Sequence, residues 1–121
     1  MAIVQDIGHL ILPVDDMEKA LAFYRDLLGF RVVGKASPVW TVIETQDGQV
    51  TLWRTRDLAK VAYGPKGEDT PFEFHVENFE KAAAMLESKG VRVKRFTTTA
   101  GVVWDPFGNA FRHHDHREDP K

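Results

Sequence analysis

The side chains in this sequence best suited to chemistry are His9, Trp53, Glu73, His75, Arg112 and His114. Imidazole and carboxylate groups carry protons near neutral pH and ligate metals. A guanidinium clamps a carboxylate or phosphate with two parallel hydrogen bonds, and an indole stacks on a planar ring. Glu73 and His75 are two residues apart, as are Arg112 and His114, so on extended chain each pair shares a face. The run His113-His114-Asp115-His116 also invites a metal reading. Strand alternation sends His113 away from His114, and the expectation there is a fraying, partly exposed terminus that binds metal only adventitiously. Nucleophilic catalysis has little support. Cysteine is absent, and the only serines, Ser37 and Ser88, sit in no nucleophile motif. Gly64-Pro65-Lys66-Gly67 reads as a linker turn, since no phosphate-cradling loop surrounds it.

Composition narrows the classes further. A chain of 121 residues with 43% hydrophobic content fits a single domain with one core. Formal net charge is −2, with both signs mixed along the chain, so neither nucleic acid nor an anionic membrane is an expected partner. No apolar run approaches the ~20 residues that a membrane-spanning helix needs. The start shows no signal-peptide pattern, and a cytoplasmic location is the expectation. Lack of cysteine excludes disulfides, thiolate chemistry and cysteine-based zinc sites.

The elements that must position these side chains come from a repeat. Val14-Asp15-Asp16-Met17-Glu18-Lys19-Ala20 resembles Val76-Glu77-Asn78-Phe79-Glu80-Lys81-Ala82, at an offset of 76 − 14 = 62. Gly29-Phe30-Arg31-Val32 resembles Gly90-Val91-Arg92-Val93, at 90 − 29 = 61. Two copies are too few for a solenoid and imply a duplicated module. Each copy opens on an alternating strand: Leu10, Leu12 and Val14 face the core in the first, and Phe72, Phe74 and Val76 in the second. Each then enters a helix. Met17, Ala20, Leu21, Tyr24 and Leu28 form one apolar stripe, and Phe79, Ala82, Ala83 and Leu86 the other. Asp15 or Asp16 caps the first helix and Asn78 the second, and Gly29 and Gly90 suit left-handed C-terminal caps.

The expected strands are 7–14, 30–35, 39–45 and 49–55 with a helix over 16–28. In the second copy they are 71–76, 91–96, 101–104 and 109–115, with a helix over 78–89. Asp47-Gly48 reads as a tight hairpin turn and Asp105-Pro106-Phe107-Gly108 as its counterpart. The fold is therefore α+β: two βαβββ modules, about 5–56 and 70–116, joined by a linker at about 57–69. Helices lie outside, and the opposite sheet faces form a cleft.

His9 to Asp16, Phe23-Tyr24, Leu28-Gly29-Phe30, Phe74-His75-Val76-Glu77 and Asp105-Pro106-Phe107-Gly108-Asn109 together resemble the vicinal oxygen chelate superfamily. That group includes glyoxalase I, bleomycin-resistance proteins and extradiol dioxygenases. The resemblance covers roughly residues 6 to 115 and implies the paired βαβββ scaffold. It says little about activity, because the superfamily hosts unrelated reactions and pure binders. Metal-using members carry one ligand on the first strand and one on the last strand of each module, usually His, Gln or Glu. Those positions fall here on His9, Thr51, Pro71 and Arg112. Proline offers no side-chain ligand and arginine repels a cation, so a metal of the family's usual kind is not expected.

Two readings of His9, Glu73, His75 and His114 stay open: a rearranged metal or acid–base cluster, or cleft-wall residues that hydrogen-bond to neighbours, waters or ligand. The second is the expectation. Trp53 likewise either stacks on a ligand or plugs the cleft or sits at a subunit contact, and Arg112 either binds ligand or forms a salt bridge to Glu73. The expected function is binding of a small molecule, aromatic or anionic, without a metal cofactor, and whether a reaction is also catalysed stays open. The alternatives are a metal-dependent lyase, isomerase or dioxygenase with an atypical ligand set, and a metal-free acid–base enzyme. A homodimer is expected, as family members of this length commonly pair.

Overall fold

The computed structural model describes residues 3–4, 10–56 and 73–115. His9, Pro71, Phe72, His116 and the proposed linker at 57–69 lie outside the described residues. The chain divides between Leu58 and Ala59 into two compact units.

In the first unit, strand β1 (Ile11–Val14) leads into helix α1 (Met17–Leu21), followed by β2 (Arg31–Val32), β3 (Trp40–Glu44) and β4 (Gln49–Arg54). The strands form one sheet in the order β1-β4-β3-β2, with β1 parallel to β4 and the other pairs antiparallel. The second unit repeats the plan with β5 (Glu73–Val76), helix α2 (Phe79–Ser88), β6 (Val93–Arg95), β7 (Ala100–Trp104) and β8 (Ala110–Asp115), in the order β5-β8-β7-β6. The register repeats as well. Ile11 pairs with Thr51, and their equivalents at 11 + 62 = 73 and 51 + 61 = 112, Glu73 and Arg112, pair in turn.

Local chemistry explains the elements. Asp16 accepts the Lys19 N–H at 3.1 Å and Asn78 accepts the Lys81 N–H at 3.0 Å, so both helix starts are capped as expected. Gly29 and Gly90 adopt φ of 90° and 82°, the left-handed turn after each helix. Leu12, Val14, Met17, Ala20, Leu21, Phe23, Tyr24, Phe30, Ile43 and Leu52 build the first core. In the second, Phe79, Ala83 and Leu86 of α2 lie in the core with Val103 and Phe111. Gly101 lets α2 approach: a Cβ there would lie 2.5 Å from Phe79 Cζ and also strike the Lys94 carbonyl oxygen. Arg95 ties β6 to α2 through Glu87 at 2.6 Å and Glu80 at 3.3 Å.

Several expectations are corrected. The first helix does not stay α-helical to residue 28. It widens into a π-helical turn over Ala22–Leu27, with Leu28 N–H donating to the Phe23 carbonyl five residues back at 2.9 Å. That rotation buries Phe23 beside Tyr24, their rings edge-to-face at 5.0 Å, and leaves Leu28 half-buried. The strands expected at 30–35 and 91–96 shorten to Arg31–Val32 and Val93–Arg95. They are edge strands, paired on one side only. Leu10 precedes β1 and is 47% exposed, so it is not a core residue.

Asp47-Gly48 is not a two-residue turn. Glu44 pairs with Gln49, so the loop spans Thr45 to Gly48, closed by the Thr45 N–H on the Gly48 carbonyl at 2.9 Å. The terminal run does not fray within the described residues either. Strand β8 extends to Asp115 because it sits between β5 and β7, hydrogen-bonded on both sides. No helix among the described residues is long and apolar enough to cross a membrane.

Candidate functional site

Alternation on the second sheet separates two faces. Gly101, which meets Phe79 of α2, marks the helix side. His113 and Phe74 lie in register with it there. Glu73, His75, Arg112 and His114 fall on the other face, with Ala100 and Val102 as their partners on β7. Val102, Trp104 and Ala110 form a buried apolar cluster on that same face, and the Arg92 guanidinium stands 4.0 Å from the Trp104 ring.

Three of the expected residues converge. His75 and His114 are direct partners across the parallel β5–β8 pair, with ring centroids 5.8 Å apart. Glu73 Oε1 lies 3.0 Å from His75 Nε2. One ligand atom from each of Glu73, His75 and His114 falls within 4.8 Å of the other two. Glu73 and His75 are exposed and His114 is half-buried.

Arg112 is in register with Glu73 but makes no ion pair with it: the carboxylate takes His75 instead, and the guanidinium lies 5.9 Å from the Phe96 ring. The expected Glu73–Arg112 salt bridge is therefore replaced by a Glu73–His75 contact. His113 turns to the helix side, as alternation requires, but it is 3% exposed with no hydrogen-bond partner at either ring nitrogen. Burial pushes its pKa down to about 4.

On the first sheet, Trp53 pairs directly with Trp40 across β3–β4 and with Pro13 across β1–β4. The two indoles are 37% and 39% exposed, a two-ring surface on the helix-free face. The Trp40–Trp53 pairing escaped the sequence reading because the tight turn assumed at Asp47-Gly48 shifts the register by two residues. The corrected loop pairs residues whose numbers sum to 40 + 53 = 93.

Residues 6–112 match the sequence profile of the Glyoxalase/Bleomycin resistance protein/Dioxygenase superfamily. The chain belongs to this superfamily. Within the superfamily it is similar to catechol-2,3-dioxygenase of Bacillus subtilis (strain 168), 28% identical over 112 residues, which span 87% of this chain and 39% of that protein. The chain thus covers about two-fifths of that relative's length. Its fold is similar to that of lactoylglutathione lyase from Agrobacterium tumefaciens, with TM-score 0.65, 17% identity and coverage of 94% and 96% of the two chains. It is also similar to that of an antibiotic binding protein from Streptomyces sp. CB03234, with TM-score 0.69, 19% identity and coverage of 95% and 98%.

The sequence resemblance assigns two of the superfamily's ligand positions to the described residues Thr51 and Arg112, and neither side chain suits a divalent ion. Thr51 is 1% exposed on central strand β4 and offers a neutral hydroxyl. Arg112 brings a permanent positive charge.

Proposed function

We propose that this chain binds a small anionic molecule on the helix-free face of its second sheet, with Arg112 taking the anionic group. The observation that supports this reading is the lining: Glu73, His75, His114 and Arg112 stand on the same face as the apolar cluster Val102, Trp104 and Ala110. An apolar floor with a few placed polar groups is the usual form of a ligand site. On the first sheet, Trp53 beside Trp40 offers stacking area to a planar ring. Separately, in the first unit, His9 is proposed as a ligand contact by strand alternation alone. We also propose a homodimer, because a chain of 121 residues has little surplus core. Light scattering that reports a monomer at high micromolar concentration defeats that part.

The test is a thermal-shift screen of planar carboxylates and phosphate esters, followed by titration of the hits. Arg112→Ala should weaken anionic hits more than their neutral analogues, and Trp53→Ala should weaken planar ones. Unchanged affinity in both variants removes the reading.

A second reading rests on the 3.0 Å contact of Glu73 with His75. A carboxylate that orients an imidazole is the arrangement of a general base, and turnover of an identified ligand that persists in chelator and is lost in His75→Gln would establish a metal-free enzyme.

A further inference from the structure

We propose that Glu73, His75 and His114 form a divalent transition-metal site held entirely by the β5–β8 strand pair. This inference goes beyond ligand binding and does not depend on it.

The backbone places the donors. His75 and His114 are direct register partners, and Glu73 precedes His75 by two residues on the same face. Neighbouring strands lie ~4.8 Å apart and a two-residue step covers ~6.6 Å, distances that these side chains span from either direction. The donors already lie close. A metal held at ~2.0–2.2 Å by imidazole and carboxylate needs donor atoms ~3–3.5 Å apart. Glu73 Oε1 and His75 Nε2 are at 3.0 Å, and the widest separation in the group is no more than 4.8 Å. His114 need close by only ~1–2 Å, a side-chain rotation with no backbone cost.

The donor set selects the ion. Two imidazoles and one carboxylate suit zinc, iron, cobalt or nickel over calcium or magnesium, which demand more oxygen ligands. All three come from one side, so coordination positions stay open towards a small molecule. The site is distinct from the superfamily's usual one. On β8 the donor moves from Arg112 to His114, a step of two that keeps the face and shifts the position along the strand by ~6.6 Å. No donor from the first unit is required.

Untagged full-length protein, freed of metal with chelator, is titrated with cobalt(II) and zinc(II) by calorimetry, with cobalt ligand-field absorption recorded alongside. One ion per chain is expected. His75→Ala, His114→Ala and Glu73→Gln should each weaken binding by at least ~10-fold, with circular dichroism unchanged because none of the three is a core residue. His116→Ala should bind as the parent does. The proposal is overturned if the parent binds no cobalt or zinc, if His75→Ala and His114→Ala retain parental affinity, or if His116→Ala abolishes it. Loss of anion binding in Arg112→Ala is a separate readout, so the two readings can fail independently.

Discussion

Asp115, on the last described strand, accepts the backbone N–H of Phe79 at the first turn of α2, at 2.9 Å from its Oδ2. The residues are 36 apart, and Asp115 is fully buried. A carboxylate at a helix N-terminus satisfies an orphan amide and complements the helix dipole. Asp115→Ala should therefore cost about 1–3 kcal/mol, and Asp115→Asn, which keeps an acceptor oxygen, should cost less. Urea denaturation checks both. Equal loss in the two variants would mean that the charge and not the hydrogen bond matters.

His113 should make the fold acid-sensitive. Its folded pKa, lowered to about 4 from 6.5, means that the unfolded chain takes up a proton which the folded chain refuses. The sign follows from linkage: this contribution to stability is complete above pH ~6.5 and drains away as pH falls through about 4. The size is of order 3 kcal/mol. His113→Leu removes the titrating group and its two unpartnered nitrogens, so it should raise the melting temperature at acid pH and flatten this part of the profile. Parallel pH profiles of melting temperature for parent and variant would dispose of the idea.

Gly101→Ala should destabilise by about 1–3 kcal/mol, the usual cost of overfilling a core. The added methyl meets the Lys94 carbonyl oxygen, which is backbone and cannot swing aside, as well as Phe79. Gly48→Ala, where a Cβ meets nothing within 4 Å, is the matched control. Comparable melting temperatures for the two variants would contradict the close approach.

Arg112→Ala should have opposite effects on two ligands. Removing a cation from the face that holds Glu73, its register partner, should strengthen cobalt binding by relieving repulsion. The same change should weaken a bound anion. Isothermal titration of one variant with each ligand reads both signs. A change in the same direction for both would show that Arg112 acts through the fold.

Much of this architecture is legible in residue spacing. Helix caps at Asp16 and Asn78 and the left-handed turns at Gly29 and Gly90 are local chemistry, and they stand where the repeat puts them. Alternation also separates His113 from His114 correctly. What spacing does not carry is which strand is central. Strands β4 and β8 each have neighbours on both sides, a fact of sheet order that no local pattern encodes. The π-helical turn at Ala22–Leu27 and the four-residue loop at Thr45–Gly48 are likewise invisible to a fixed period. The convergence of Glu73, His75 and His114 needs the register of a parallel pair, which is set by the connections and not by the strands themselves.

That register recurs in the first unit, where Ile11 with Thr51 and Pro13 with Trp53 occupy the places of Glu73 with Arg112 and His75 with His114. The chain thus holds a recipient for its own transplant. Ile11→Glu, Pro13→His and Trp53→His together would copy the donor residues onto a parallel pair already built to the same pattern. If strand register alone makes the site, metal uptake should rise from one ion per chain to two.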